Sequence, residues 1–257
     1  MRAAARHEAQ LKELWRESFG DSREYIDFFF RNRFAPENTE VWLCEDEAVA
    51  MAHLMDASVD GQKVWYGYAV AVHPEEQGRG FATALQRRVM MERPYIVRPA
   101  SVGLEDFYEH VGLRRTYFAR TLWLDAAYGA LPAAENCTAA RYNALRNARF
   151  TGRYDVRWED AAVDYALREN AFLGGLCLEW PVGAALVLPV GDVLRVRETT
   201  LCEEDALRLL PALAARLGCE KVHLTLPESA TLGELTCIGM ASGLPEDARG
   251  YLGLALD

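Results

Sequence analysis

The segment Val70-Ala71-Val72-His73-Pro74-Glu75-Glu76-Gln77-Gly78-Arg79-Gly80-Phe81-Ala82-Thr83-Ala84-Leu85 constrains this chain more than any other. An apolar run leads into a histidine–proline turn, a loop spaced by glycines, and the first turns of an amphipathic helix. Glycines at 78 and 80 let a ligand come close to the main chain, because no side chain covers the amide groups. The helix that opens behind them adds unsatisfied N–H groups and the positive end of its dipole. A strand–loop–helix joint of this kind is an anion site, suited to a phosphate or pyrophosphate.

Composition narrows the class of protein around that joint. A chain of 257 residues has room for one large domain or two of ordinary size. With 51% hydrophobic and 26% charged residues it folds around a core and is not a disordered chain. The formal charge of −10 opposes a nucleic-acid partner, which needs a basic face, and tolerates a cationic amine substrate. Cys44, Cys137, Cys177, Cys202, Cys219 and Cys237 show neither a C-x-x-C pair nor metal-ligand spacing. Scattered in this way, with no signal peptide, they read as reduced, buried thiols of a cytoplasmic protein without a metal site. Residues Ala171–Val190 are apolar enough to suggest a membrane span. Gly174, Gly175, Glu179, Pro181, Gly183 and Pro189 break that stretch, so a hairpin turning at Trp180–Gly183 is expected and no membrane contact.

Periodicity gives an α/β order for the first half. A helix carries Leu11, Leu14, Trp15 and Phe19 on one face, and a second begins at Asp21 with Glu24 as its capping-box partner. Strands follow at Val41–Cys44, Val49–Ala57 and Lys63–Val72, the last two joined by an Asp60-Gly61 turn. Next come the loop helix up to Pro94, a short strand Tyr95–Arg98, a helix with Leu104, Phe107, Tyr108 and Val111 that Gly112 ends, and a closing strand Arg115–Leu124. Residues 125–137 read as a linker. The second half repeats the pattern: helices over Cys137–Arg149 and Asp160–Ala171, and strands near 175–180, 184–189 and 192–199. A helix over 203–217, which Pro211 should kink or restart, precedes strands at Lys221–Leu226 and Tyr251–Leu256. In the place of the glycine loop stands Glu198-Thr199-Thr200-Leu201-Cys202-Glu203-Glu204-Asp205, which lacks glycine and whose closing acids would repel a pyrophosphate.

The pieces V-x-V-H-P and Q-x-x-G-x-A, in this order of elements, resemble the pyrophosphate-binding motif of the GNAT superfamily of acyl-CoA-dependent N-acyltransferases. The resemblance covers residues 1–124 and implies an α+β fold with acetyl-CoA as acyl donor. The repeat implies two GNAT-like domains, each with a mixed, mostly antiparallel central sheet flanked by helices. Residues 1–124 would bind the cofactor, and 138–257 would form a degenerate domain that has lost its loop. That layout is similar to the two-domain core of the enhanced-intracellular-survival-like acetyltransferases and, more loosely, to mycothiol synthase.

Carried onto this sequence, the resemblance implies that the edge of Val70, Ala71 and Val72 bonds the pantetheine arm as an added strand would. The amides of Gly78, Arg79, Gly80, Phe81, Ala82 and Thr83 would surround the pyrophosphate, with Arg79 adding a side-chain contact, and the Val72 amide would polarise the thioester. Tyr108, within Phe107-Tyr108-Glu109-His110-Val111-Gly112-Leu113, is similar to the tyrosine that protonates the departing thiolate in many GNAT domains. Seven residues earlier the family often has an asparagine that contacts pantetheine; here it is Ser101, whose hydroxyl replaces part of that bonding.

Among candidate bases, His53 in the strand Val49–Met55 is the best placed, with a half-buried structural histidine as the other reading. Tyr25, Phe29 and Phe30 fall where the family builds its acceptor pocket, although such a run also suits a core. His73 reads as part of the turn, and Cys177 has no activating base in the sequence. An N-acyltransferase acting on a small-molecule or peptide amine by direct attack is the leading reading. The second half would wall the acceptor cleft and offer contacts for a homo-oligomer. A non-catalytic acyl-CoA sensor and an aminoacyl-transferase-like tandem protein remain open beside it.

Overall fold

The computed structural model describes residues 1–254. The chain divides into two compact units, the first formed by Met1–Arg115 with Gly239–Asp247 and the second by the remainder. Both are α/β, with mainly antiparallel sheets flanked by helices.

In the first unit, α1 (Glu8–Phe19) buries Leu11, Leu14 and Trp15, while Phe19 stays exposed at its end. Helix α2 (Arg23–Asn32) starts one step later than the capping box suggests. Ser22 is the cap, its Oγ accepting the Tyr25 N–H, because the Asp21 carboxylate instead accepts the Trp15 indole N–H at 2.7 Å. Strands β1 (Thr39–Cys44), β2 (Glu47–Val59) and β3 (Gln62–Val72) form an antiparallel meander. Its β2–β3 turn has positive φ at both Asp60 and Gly61, the geometry that a tight two-residue hairpin demands. Helix α3 (Phe81–Met90), strand β4 (Tyr95–Val97) and helix α4 (Glu105–Val111) follow, and α4 stops at left-handed Gly112. Strand β4 lies parallel to β3.

Strand β5 (Arg114–Asp125) begins in the first unit, but from Thr116 onward belongs to the second. The division therefore falls within β5, after Arg115, and not in the 125–137 stretch that composition favours. Packing explains this placement: Leu122 and Leu124 lie against the hydrophobic cluster of the second unit, and Ala119–Asp125 pair with its strand at 221–227.

The second unit continues with β6 (Glu135–Asn136), α5 (Ala139–Arg149), β7 (Arg157–Trp158), α6 (Asp160–Phe172) and strands β8 (Leu176–Trp180), β9 (Gly183–Val190) and β10 (Val193–Thr199). The β8–β9 hairpin occupies the stretch that was apolar enough to suggest a membrane span. Among the described residues no helix is long and apolar enough to cross a membrane. Helix α7 (Glu203–Arg216) runs through Pro211 without a break. Leu209, Leu210, Leu213 and Ala214 are all buried, and that packing outweighs the one backbone bond a proline forfeits. Strand β11 (Lys221–Pro227) pairs parallel to β10.

The last strand, β12 (Glu234–Ser242), was not visible in the periodicity. Its second half is buried on both faces and contains Gly239, so it neither alternates nor reads as a long apolar run. Met240, Ala241 and Ser242 pair antiparallel with Val97, Ile96 and Tyr95 of β4, completing the first unit. Residues 251–254 do not form the expected final strand; the Tyr251 and Leu254 N–H groups go to the carboxylates of Asp155 and Glu198 instead. The end of that expected strand, residues 255 and 256, lies outside the described residues.

Candidate active site

The first unit opens where β3 and β4 part. Their parallel pairing covers Trp65–Gly67 against Tyr95–Val97 and goes no further, so the β3 edge from Tyr68 to Val72 has no strand beside it on that side among the described residues. A bulge marks the same place. Met51 pairs with Ala71 and His53 with Tyr68, so β3 carries one residue more than β2 between those pairs, and Ala69 sits at a φ of 47°. Such a bulge increases local twist and re-aims the strand end.

Beyond Val72 the chain turns through Pro74–Glu76 into the glycine loop. Gly78 and Gly80 have φ values of 76° and 82°, left-handed conformations that disfavour side chains, and the space a Cβ would enter is open at both. Helix α3 starts immediately after Gly80. Its first internal bond is the Ala84 N–H to the Gly80 carbonyl at 3.0 Å, which leaves the N–H groups of Phe81, Ala82 and Thr83 outside the helical ladder. No acidic residue lies in that first turn. The helix therefore presents its positive end uncompensated.

Strand edge, loop and helix start line one cavity of about 460 Å³. Val70, Ala71 and Val72 form one wall; Gly78, Gly80, Phe81, Ala82 and Thr83 form the next; Tyr108 closes it from α4. Nine residues expected at the site thus meet in one place. Burial pushes the Tyr108 phenol up to about 12, so its hydroxyl stays protonated throughout the neutral range. Four lining residues were missed: Glu76, Gln77, Leu104 and Phe107. Gln77 belongs to the quoted motif, and Leu104, Phe107 and Tyr108 share a helical face. That spacing marked the face as core, and nothing in it separates core from cavity wall.

The other expected site residues lie elsewhere. Arg79 does not line the cavity; its guanidinium pairs with Glu76 and lies 5.1 Å from the Phe81 ring centre. Ser101 is exposed, and its carbonyl accepts the Leu104 N–H at the start of a short turn. His53 is enclosed by Trp15, Phe29, Phe30 and Phe34. Thr39 Oγ1 donates to the Ala35 carbonyl, so His53 Nδ1–H donates to that oxygen at 3.0 Å, and buried Nε2 has no partner. Burial drives the imidazole down to about 3, so it stays neutral and is a poor proton acceptor. The expectation of His53 as general base is corrected accordingly: the ring fills a core. Phe29 and Phe30 belong to the same aromatic core, and the Tyr25 hydroxyl lies 2.8 Å from that of Tyr68, so none of the three lines the cavity.

The corresponding place in the second unit is built differently. Parallel pairing of β10 and β11 ends at Val196 and Leu224, and β10 also carries one extra residue, between Val196 and Glu198. Here, however, the strand end is occupied. Glu198 forms a buried ion pair with Arg146 at 2.7 Å and accepts the Leu254 N–H at 2.8 Å. Helix α7 follows after Thr200, Leu201 and Cys202, with Glu203, Glu204 and Asp205 in its first turn. Cys202, expected to be buried, is exposed and caps that helix through its sulfur.

Residues 2–96 match the family model described as an acetyltransferase (GNAT) domain. Among curated proteins none matches the sequence. A GCN5-related N-acetyltransferase from Anabaena variabilis superposes with a TM-score of 0.70 at 17% identity, over 94% of this chain and 71% of that one. Eis1 from Mycobacterium abscessus gives 0.65 at 13% identity, over 94% and 72%. A tandem GNAT protein from the clavulanic acid biosynthesis pathway gives 0.54 at 14% identity, over 92% and 94%. At these identities the likeness is one of fold. The open strand edge, the glycine loop and helix α3 all lie within the segment that matches the acetyltransferase (GNAT) domain model.

Proposed function

We propose that the first unit is an N-acyltransferase that moves an acetyl group from acetyl-CoA to a primary amine by direct attack. The observation that carries this reading is the meeting of a free strand edge, a cradle of N–H groups and a protonated phenol in one cavity. The open edge of Val70–Val72 suits an extended amide arm, which would bond to it as a further strand. The loop and the start of α3 suit a pyrophosphate. Between them, the Val72 N–H would polarise the thioester carbonyl.

In this scheme the neutral amine attacks the carbonyl carbon, the C–S bond breaks, and the amine loses one proton as the sulfur gains one. Tyr108 supports the departing sulfur by donating a hydrogen bond. A phenol at about 12 is a weaker acid than a thiol near 8.5, so Tyr108 holds its proton in the ground state and shares it as charge builds on sulfur. With His53 enclosed, the amine proton leaves to solvent, and the rate should rise with pH as more amine becomes neutral. A panel of small amines, polyamines, aminoglycosides and peptide N-termini, read by release of free CoA, tests the proposal. Binding of acetyl-CoA in calorimetry without thiol release from any of them would favour an acyl-CoA sensor instead.

A further inference from the structure

We infer that His73 is a positioning residue that fixes the glycine loop for acyl-CoA, an inference that rests on the reading of the cavity given above. His73 follows the last residue of β3 and precedes Pro74, which restricts it to extended backbone. Its own N–H is bonded to the Val49 carbonyl at 2.9 Å, so its backbone is anchored to β2. The imidazole then works in two directions. Nδ1 accepts the Glu75 N–H at 3.3 Å, closing the turn that leads into the loop. Nε2 lies 2.8 Å from a carboxylate oxygen of Glu17 on α1.

The two contacts settle where the ring proton sits. An Nδ1 that accepts from a backbone N–H carries no hydrogen, so in the neutral ring the proton is on Nε2 and is donated to Glu17. A single side chain thereby ties the end of β3, the Pro74–Glu76 turn and helix α1 together. Glu17 is itself steadied by Arg16 at 3.4 Å, and the Gly20 N–H, bonded to the Arg16 carbonyl, ends α1 just beyond it. The loop's other side-chain tie, Arg79 to Glu76, is internal to the loop and cannot orient it against the rest of the unit. Glycine-rich backbone has the most freedom to lose on binding. Fixing its entry beforehand removes part of that cost, a saving that should appear in cofactor affinity and not in the chemical step.

Four variants of the full chain test this: His73→Ala, His73→Asn, Glu17→Ala and Glu17→Gln. Acetyl-CoA affinity is measured by calorimetry, steady-state kinetics are run with the best amine of the panel, and thermal midpoints are recorded alongside. His73→Ala loses both contacts and should weaken acetyl-CoA binding about five- to twentyfold, with kcat falling less than about threefold. Asparagine can still accept an N–H two residues on, so His73→Asn should recover part of that loss. Glu17→Ala should resemble His73→Asn, and Glu17→Gln, whose amide oxygen still accepts, should lose less than Glu17→Ala. Unchanged affinity in His73→Ala would overturn the inference. So would a loss shared equally by KM and kcat with a falling thermal midpoint, which would mark a merely structural role. Should the wild-type chain itself fail to bind acetyl-CoA, the reading of the cavity falls and this inference with it.

Discussion

The two parallel strand pairs, β3 with β4 and β10 with β11, begin alike and end differently. In each unit two helices, an antiparallel run of strands, a further helix and a parallel strand follow one another in the same order. In each, the strand entering the fork carries one residue more than its antiparallel neighbour. Past the fork the first unit has the long connection 73–80, with two left-handed glycines and no acid at the helix start. The second has the short connection 200–202 and three acids in the first turn. Glu203 is already engaged by the N–H groups of Thr231 and Leu232, which hold its carboxyl below the usual range. The frame alone therefore does not make an anion site. Connection length and the charge at the helix start are what distinguish the two forks.

Experiments can break this contrast at several strengths. The largest effect is expected from Gly80→Trp, which should abolish acetyl-CoA binding in calorimetry, whereas the wild-type chain should bind one molecule; a stoichiometry of two would end the contrast outright. Tyr108→Phe comes next. It should lower turnover by roughly 10²–10³ with cofactor affinity nearly kept, and unchanged turnover would remove the phenol from the mechanism. In the second unit, Arg146→Met strands buried Glu198 and should cost about 3–5 kcal/mol in urea unfolding of the full chain. A cost below about 1 kcal/mol would mean that the ion pair is not what holds this strand end.

The smallest effect concerns the first unit's buried neutral group. His53 titrates at about 3 when folded and near 6.5 when unfolded, so below pH 6.5 the unfolded chain binds the extra proton. Its stabilising contribution is complete above that value and is lost as pH falls toward 3. Between pH 7 and pH 5 the wild-type chain should lose about 2 kcal/mol more than His53→Leu in urea titrations. Parallel pH dependence of the two proteins would show that the imidazole is not sheltered.

The element order of the first unit was legible because each element there obeys a single period. The cavity's N–H cradle was legible because glycines, a proline and a helix start leave a local signature. Leu104 and Phe107 were not, since an apolar helical face reads the same whether it meets a core or a void. His53 misled for a related reason. An alternating strand places a side chain on one face but does not reveal that Trp15, Phe29, Phe30 and Phe34 converge on it from α1, α2 and the segment that follows. Arg79 carries the right charge in the right loop, yet its neighbour Glu76 claims it. Strand β12 and the irregular residues 251–254 depend on partners far away in sequence, to which local pattern is blind.

The return of β12 to β4 also sets a timetable. The first unit acquires its last strand from residues 240–242, although all of it outside residues 239–247 is encoded before residue 116. At a synthesis rate of about 5–20 residues per second, the edge of β4 waits on the order of ten seconds after its own emergence before that partner exists. During that interval the nascent chain presents an unpaired strand edge, the kind of surface that invites association with other chains or a chaperone. A fragment cut at residue 124 would keep that edge bare permanently, so expression of the first half alone should yield an aggregation-prone protein, while a chain that continues through residue 242 escapes.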